Sequence, residues 1–296
     1  MSTFGNRLTG AGRPGKDARP GGAAAGPATD GNPPAGPSGG AGRIRKRFDP
    51  DRRLGLRLTL ASGAVFLVLV PFGLLLLLVK SSFGPVNRID EGAADALHAF
   101  ALGHPGWVSF LQLWTNVFGP GTWRVLVGLA AAYLVFRRAP RLAIWAVTTI
   151  TVGGLLGLAL KVVVDRARPH LPNPVDLAPG ASFPSGHAVN ATLGAGILIL
   201  LLLPVLNRRQ RIIAWLTGAV IVGGVAYTRV ALGVHWVTDV TAGVVFGVAV
   251  IAATAAGFET WRREIGRRPS EPHLDGVEPE AREDISPKGS THGHRH

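Results

Sequence analysis

The chain has 296 residues, 47% of them hydrophobic and only 17% charged, with a mean hydropathy of +0.28. Soluble domains carry nearer a quarter charged residues, and here the apolar residues come in long blocks rather than amphipathic periods, which excludes a soluble globular enzyme in favour of a membrane protein. The formal charge of +13 gathers at the ends of apolar blocks and in the N-terminal tail, as topology signals do, so no nucleic-acid partner is expected; zero cysteines exclude disulfides, thiolate metal sites and a cysteine nucleophile.

Residues 1–40 hold 11 Gly and 6 Pro with almost no large apolar side chain, so a disordered tail is expected there. Arg43, Arg45, Lys46, Arg47, Arg52 and Arg53 follow as a cytoplasmic anchor facing anionic headgroups. No cleavable signal peptide is expected, because the first apolar run, about Leu58 to Val79, starts late and is long enough to span. Next, Ile89, Ala93, Leu97 and Phe100 recur at helical spacing with Asp90, Glu91 and Asp95 off the stripe, which predicts an interfacial helix. Trp107 to Phe118 is too short to span alone and is broken by Gly119-Pro120-Gly121, so it reads as interfacial or re-entrant.

Further spans are predicted at about 121–136, 141–163, 187–206, 212–229 and 235–257. Three basic clusters lie in the turns: Arg137, Arg138 and Arg141; Arg208, Arg209 and Arg211; Arg262, Arg263, Arg267 and Arg268. Six spans place all three in the cytoplasm together with both termini; counting Trp107–Phe118 as a seventh would split them across the membrane. The tail from about Pro269 is polar and mixed in charge and is expected to be disordered, with His292, His294 and His296 read as solvated rather than metal-binding. The expected fold is therefore all-α, a six-transmembrane helical bundle with interfacial helices after the first span. It divides into a basic N-terminal tail (1–53), a membrane domain (54–260) and a C-terminal tail (261–296).

In this topology four separated segments deliver polar groups to one face of the membrane, where intramembrane charge is costly and usually functional. Lys161 and Arg168, seven apart, share a helix face, and Pro169 biases Arg168 out of the helix. Ser185 is placed as an N-cap, Gly186 allows close approach, and the helix start they open favours an anion, with His187 in reach to move a proton. Arg229 closes the fifth span. His235 and Asp239 sit one helical turn apart, so the carboxylate can fix the ring tautomer and leave the other nitrogen free to attack. A structural polar pair and a metal site are the alternatives, but three cations near two histidines describe an anion site.

Lys161 and Arg168-Pro169 (K-x6-R-P), Pro184 to His187 (P-S-G-H), and Thr228-Arg229, His235 and Asp239 (R-x5-H-x3-D) together resemble the type 2 phosphatidic acid phosphatase (PAP2) superfamily. The resemblance covers roughly residues 58–257 and is strongest from Lys161 to Asp239. It implies a metal-free, cofactor-free helical-bundle phosphatase. His235 would attack phosphorus and form a phosphohistidine, Asp239 would orient it, and His187 would protonate the leaving oxygen and later activate water. Lys161, Arg168, Ser185, the Gly186 amide and Arg229 would hold the phosphate oxygens. Thr228 replaces the family's usual Ser, keeping the hydroxyl and adding a methyl. Arg166 is an extra cation that either assists a second phosphate or faces solvent. The expected substrate is a lipid phosphate or pyrophosphate in the outer leaflet: a polyprenyl pyrophosphate, phosphatidic acid or phosphatidylglycerol phosphate. A lipid-phosphate carrier and a phosphotransferase to a non-water acceptor remain the alternatives, while the related soluble vanadate haloperoxidases do not suit so apolar a chain.

Overall fold

The computed structural model describes residues 70–286, and these are all helix, turn and loop with no strand among them. The helices are α1 (Val70–Lys80), α2 (Gly84–Leu102), α3 (Pro105–Val117), α4 (Pro120–Phe136), α5 (Pro140–Val164), α6 (Gly186–Leu202), α7 (Arg208–Ala231) and α8 (Val237–Glu264), then two single turns, α9 (Pro272–Asp275) and α10 (Arg282–Ile285). Residues 58–69 of the first expected span, the basic stretch before it and the His292–His296 tail lie outside the described residues.

Proline opens several of these helices. In α2 through α5 it occupies the first turn, where its missing N–H costs nothing and its fixed φ suits a helix start. Five stretches are long and apolar enough to cross a bilayer, or six when α1 and α2, bent 85° to each other, count as one. Pro105–Phe136 is one of the five. The Trp107–Phe118 segment, expected as a separate interfacial piece, thus runs on through Gly119 into α4 as a single 32-residue apolar stretch.

α6 is the centre of the bundle. In α6 with its following 3-10 turn, 78% of the apolar window is buried, against 17% to 44% in the other four stretches, and α4, α5, α7 and α8 pack around it. A helix apolar on every side is stable only when enclosed in this way. The outward faces of the surrounding helices carry large exposed side chains, such as Leu129, Phe136, Val162, Leu216 and Val220, a surface suited to hydrocarbon and not to water.

The tightest approach is between α6 and α8. A Cβ on Gly243 would stand 2.9 Å from the Ser185 carbonyl oxygen and 3.0 Å from Ala188 Cβ; one on Gly247 would stand 2.8 Å from Thr192 Cβ. Gly243 and Gly247, four apart, form the small-residue stripe that lets two membrane helices meet backbone to backbone.

In α2 the buried residues are Asp90, Ala94, His98 and Ala101, while Ile89 and Phe100 point outward. The polar side of α2 packs inward because α7 and α8 offer it partners. The tail expected to be disordered from 261 is instead ordered through Ser286. α8 continues to Glu264, and the segment after it is pinned by buried Val277, Ala281 and Ile285 and by the Arg262–Glu280 ion pair at 2.6 Å.

Gly243→Ala is expected to destabilise the protein by about 1–3 kcal/mol through overpacking, read as a lower midpoint of thermal unfolding in detergent. Gly257→Ala on the same helix, where a Cβ meets nothing within 4 Å, should leave the midpoint unchanged or raise it.

Candidate active site

α5 ends at Val164 because Asp165 takes a left-handed conformation (φ 45°) and stops the helix. This corrects the expectation that Lys161 and Arg168 share one helix face. Only Lys161 is helical, and Arg168 arrives on the loop that follows. The loop still delivers it to the same place. Lys161 Nζ donates to the Ala181 carbonyl at 2.7 Å. Arg168 donates to the carbonyls of Pro179, Gly180, Ala181 and Val234 at 2.6 to 3.2 Å, so its guanidinium is fixed largely by backbone.

Ser185 stands at the N-cap position of α6, but its hydroxyl makes no capping bond; it is fully buried and without a partner among the described residues. Its N–H is committed to the Asp239 carbonyl at 3.0 Å, tying the start of α6 to the start of α8. Gly186 and His187 form the first turn of α6. Arg229, in the last turn of α7, is buried; one guanidinium nitrogen reaches Thr115 Oγ1 at 3.3 Å and lies 3.8 Å from Asp176, and its Nε has no partner among the described residues. Thr228 turns its hydroxyl back onto the Val225 carbonyl at 2.7 Å, away from this group.

His235 lies in the turn before α8, buried, with Nδ1 3.4 Å from Asp239 Oδ2 and Nε2 3.1 Å from Arg168 Nη1. Burial outweighs the pull of Asp239 and lowers the imidazole to about 4, so at neutral pH the ring is uncharged. With Nδ1–H donating to the carboxylate, Nε2 is the free base. Asp239 is held in turn: Oδ2 accepts from the Trp236 N–H at 3.0 Å and Oδ1 from Arg166 at 2.7 Å.

Six of the eight expected site residues, Lys161, Arg168, Gly186, His187, Arg229 and His235, line one cavity of about 750 Å³. Ser185 and Asp239 lie behind its wall, joined by their backbone bond. On one flank the cavity meets Leu158 and Val162, outward-facing residues of α5, and Pro120 and Arg124 at the start of α4. Arg124 and Asn190 were not anticipated. Asn190 sits three residues after His187 on the same helix face, a spacing that would have found it; its Nδ2 donates to the Gly186 carbonyl at 2.8 Å and its Oδ1 has no partner among the described residues. Asp90 and Thr238 were also missed, and their bonds reach Arg166 and not the cavity. The set offers an uncharged nucleophilic nitrogen beside three cations, the chemistry of a phosphoryl-group site.

Comparison with known proteins agrees. The chain is 33% identical over 132 residues to undecaprenyl-diphosphatase of Sulfolobus acidocaldarius, covering 42% of this chain and 58% of that protein. It is 38% identical over 104 residues to phosphatidylglycerophosphatase B of Bacillus subtilis, covering 32% and 47% respectively. The chain thus spans about half the length of these relatives. In fold it matches the crystal structure of a transmembrane PAP2-type phosphatidylglycerolphosphate phosphatase from Bacillus subtilis, with a TM-score of 0.58 at 23% identity, over 67% of this chain and 97% of that one. Residues 142–263, which hold every expected site residue, match the PAP2 superfamily model.

Proposed function

We propose that the protein is an integral membrane phosphatase that removes phosphate from a lipid phosphate or diphosphate by way of a phosphohistidine on His235, without a metal. The observation that carries this reading is His235 itself, an uncharged buried ring with Nδ1 toward Asp239 and Nε2 toward Arg168 at the wall of a cavity lined by Lys161, Arg168 and Arg229. A carrier needs the cations but has no use for an oriented nucleophile.

In the first step Nε2 attacks phosphorus. The bond from phosphorus to the leaving oxygen, a lipid alkoxide or the bridging oxygen of a diphosphate, breaks as the N–P bond forms. His187 gives its proton to that oxygen, and Asp239 balances the charge that the ring acquires. In the second step water attacks phosphorus, His187 takes its proton, the N–P bond breaks and phosphate leaves with His235 restored. Lys161, Arg168, Arg229 and the Gly186 amide hold the three equatorial oxygens, whose charge grows in each transition state; one such donor is worth about 3–4 kcal/mol.

The apolar flank of Leu158 and Val162 supports a substrate whose tail lies among hydrocarbon chains while its phosphate enters the cavity. Both curated relatives carry names of enzymes that act on such lipids, one a polyprenyl diphosphate and the other a glycerophospholipid phosphate. The three arginine clusters, at the opposite end of the same helices, support an orientation with the cavity extracytoplasmic.

Three measurements test this. Purified protein should release phosphate from a panel of polyprenyl diphosphates and phosphorylated glycerolipids with chelator present, and rapid acid quench should trap phosphate on His235. His235→Ala should fall to background; dependence on a metal, or turnover without the trapped species, would refute the mechanism. The acid limb of kcat/KM should lie near pH 4, because the free base is lost only there, and a limb at about 6.5, the ordinary imidazole value, would contradict the burial of the ring. In this cysteine-free chain, Leu177→Cys should react with an impermeant maleimide in intact cells and Arg209→Cys only after lysis; the reverse pattern would invert the orientation.

A further inference from the structure

Arg166 is neither a phosphate ligand nor a solvent-facing cation. It does not line the cavity, and its side chain is 15% exposed. One guanidinium nitrogen, Nη1, donates to Asp239 Oδ1 at 2.7 Å and to Thr238 Oγ1 at 2.6 Å; the other, Nη2, donates to Asp90 Oδ2 at 2.8 Å. Asp90 closes the ring. Its Oδ1 accepts the Thr238 N–H at 2.9 Å and its Oδ2 accepts the Thr238 hydroxyl at 2.6 Å. The guanidinium lies 5.5 Å from the centre of the Trp236 ring, and the Arg166 carbonyl accepts from both the N–H and the hydroxyl of Ser182. A buried arginine with this many fixed partners is a rigid strut.

Arg166 and Arg168 are two residues apart in the non-helical segment after α5, and each engages one member of the pair. Arg168 meets the His235 ring and Arg166 the Asp239 carboxylate. Asp239 therefore has its two oxygens assigned, Oδ2 to His235 and the Trp236 amide, Oδ1 to Arg166. A guanidinium bound to Asp239 alone would compete with His235 for its negative charge. Asp90 takes the other edge of that guanidinium, so Asp239 keeps the charge it needs to polarise the imidazole.

We propose that Asp90 and Arg166 are a positioning pair that fixes Asp239, and through it His235, for attack on phosphorus. The inference rests on the reading of His235 as nucleophile. It also gives α2, which lies outside the residues that match the superfamily model, a part in reactivity: α2 supplies Asp90, and its packing on α7 and α8 sets the dyad.

The test uses the full chain in lipid nanodiscs with whichever phosphorylated lipid it hydrolyses. Arg166→Gln and Asp90→Asn should each lower kcat about 10- to 100-fold, the range seen when an outer partner of a reactive group is removed. KM and the inhibition constant of inorganic phosphate should stay within about twofold, because the cavity cations are untouched. The double variant should be no slower than the slower single one, as for groups that act as a unit. The acid limb of kcat/KM should move in opposite directions, upward when the positive charge of Arg166 is removed and downward when the negative charge of Asp90 is removed, which a purely structural role would not produce. Where these variants fail to fold, Thr238→Val reports instead, with a smaller fall in kcat at constant KM. Overturning results are a rise in KM or in the phosphate inhibition constant at constant kcat, which would make Arg166 a phosphate ligand, or wild-type kcat in the variants that fold. A wild-type chain that traps no phosphate on His235 refutes the nucleophile instead, so the two failures are distinct.

Discussion

One backbone hydrogen bond, from the Ser185 N–H to the Asp239 carbonyl, joins the two helix starts on which the site is built. It forms only because Gly243 and Gly247 let α8 press against α6 between Ser185 and Thr192. Ser185, Gly186 and His187 lead into α6, while His235 and Asp239 open α8, so this contact sets their separation within one rigid pairing. α5 and α7 then lean on the same central helix and bring Lys161 and Arg229 to the same end. A site spread over the 79 residues from Lys161 to Asp239 is thereby reduced to the geometry of one helix pair and its two neighbours.

The cavity's charge is organised by what its cations bind. Arg168 is held by four carbonyls and Lys161 by one, which satisfy donors without cancelling charge. Asp176 is the carboxylate nearest Arg229, at 3.8 Å, and Asp239 is turned to His235 and Arg166. Positive potential is thus left directed at the cavity, with its donors already in place. Electrostatic stabilisation costs least when nothing has to reorganise as charge develops, and in surroundings this apolar each donor acts at low effective dielectric.

Much of this was legible in the letters. The lengths of the apolar blocks placed the starts of α5 to α8 to within a few residues, although the stretch expected near 121 begins at Pro105, and the i, i+4 spacing of His235 and Asp239 needed only the start of a helix. What failed did so for physical reasons. Periodicity extended α5 through Arg168, yet the left-handed Asp165 ended it, a conformation that Asp tolerates better than most residues but that periodicity does not register. In α2 the stripe of Ile89 and Phe100 reads as part of an interfacial helix, which leaves Asp90 off the stripe without an assigned partner; it turns inward to Arg166. The segment 270–286 looked structureless because its anchors are few; three small or medium apolar residues hold it only when arginines from other helices complete the contact.

Those other arginines explain how one residue type serves two ends of the bundle. At the end away from the cavity, Arg262 is bound by Glu259 and Glu280, Arg141 lies 3.7 Å from Glu278, and Arg137 and Arg211 donate to the carbonyls of Ser286 and Leu274. The C-terminal segment brings Glu278 to Arg141 and Glu280 to Arg262, so part of the charge there is paired within the chain. Among the described residues at the cavity end, Lys161 and Arg168 meet backbone carbonyls and Arg229 has one carboxylate, Asp176, at 3.8 Å. A net charge of +13 therefore says little about what the protein binds. The information lies in where the fold gathers cations around one cavity, and here Lys161, Arg168 and Arg229 are gathered beside His235.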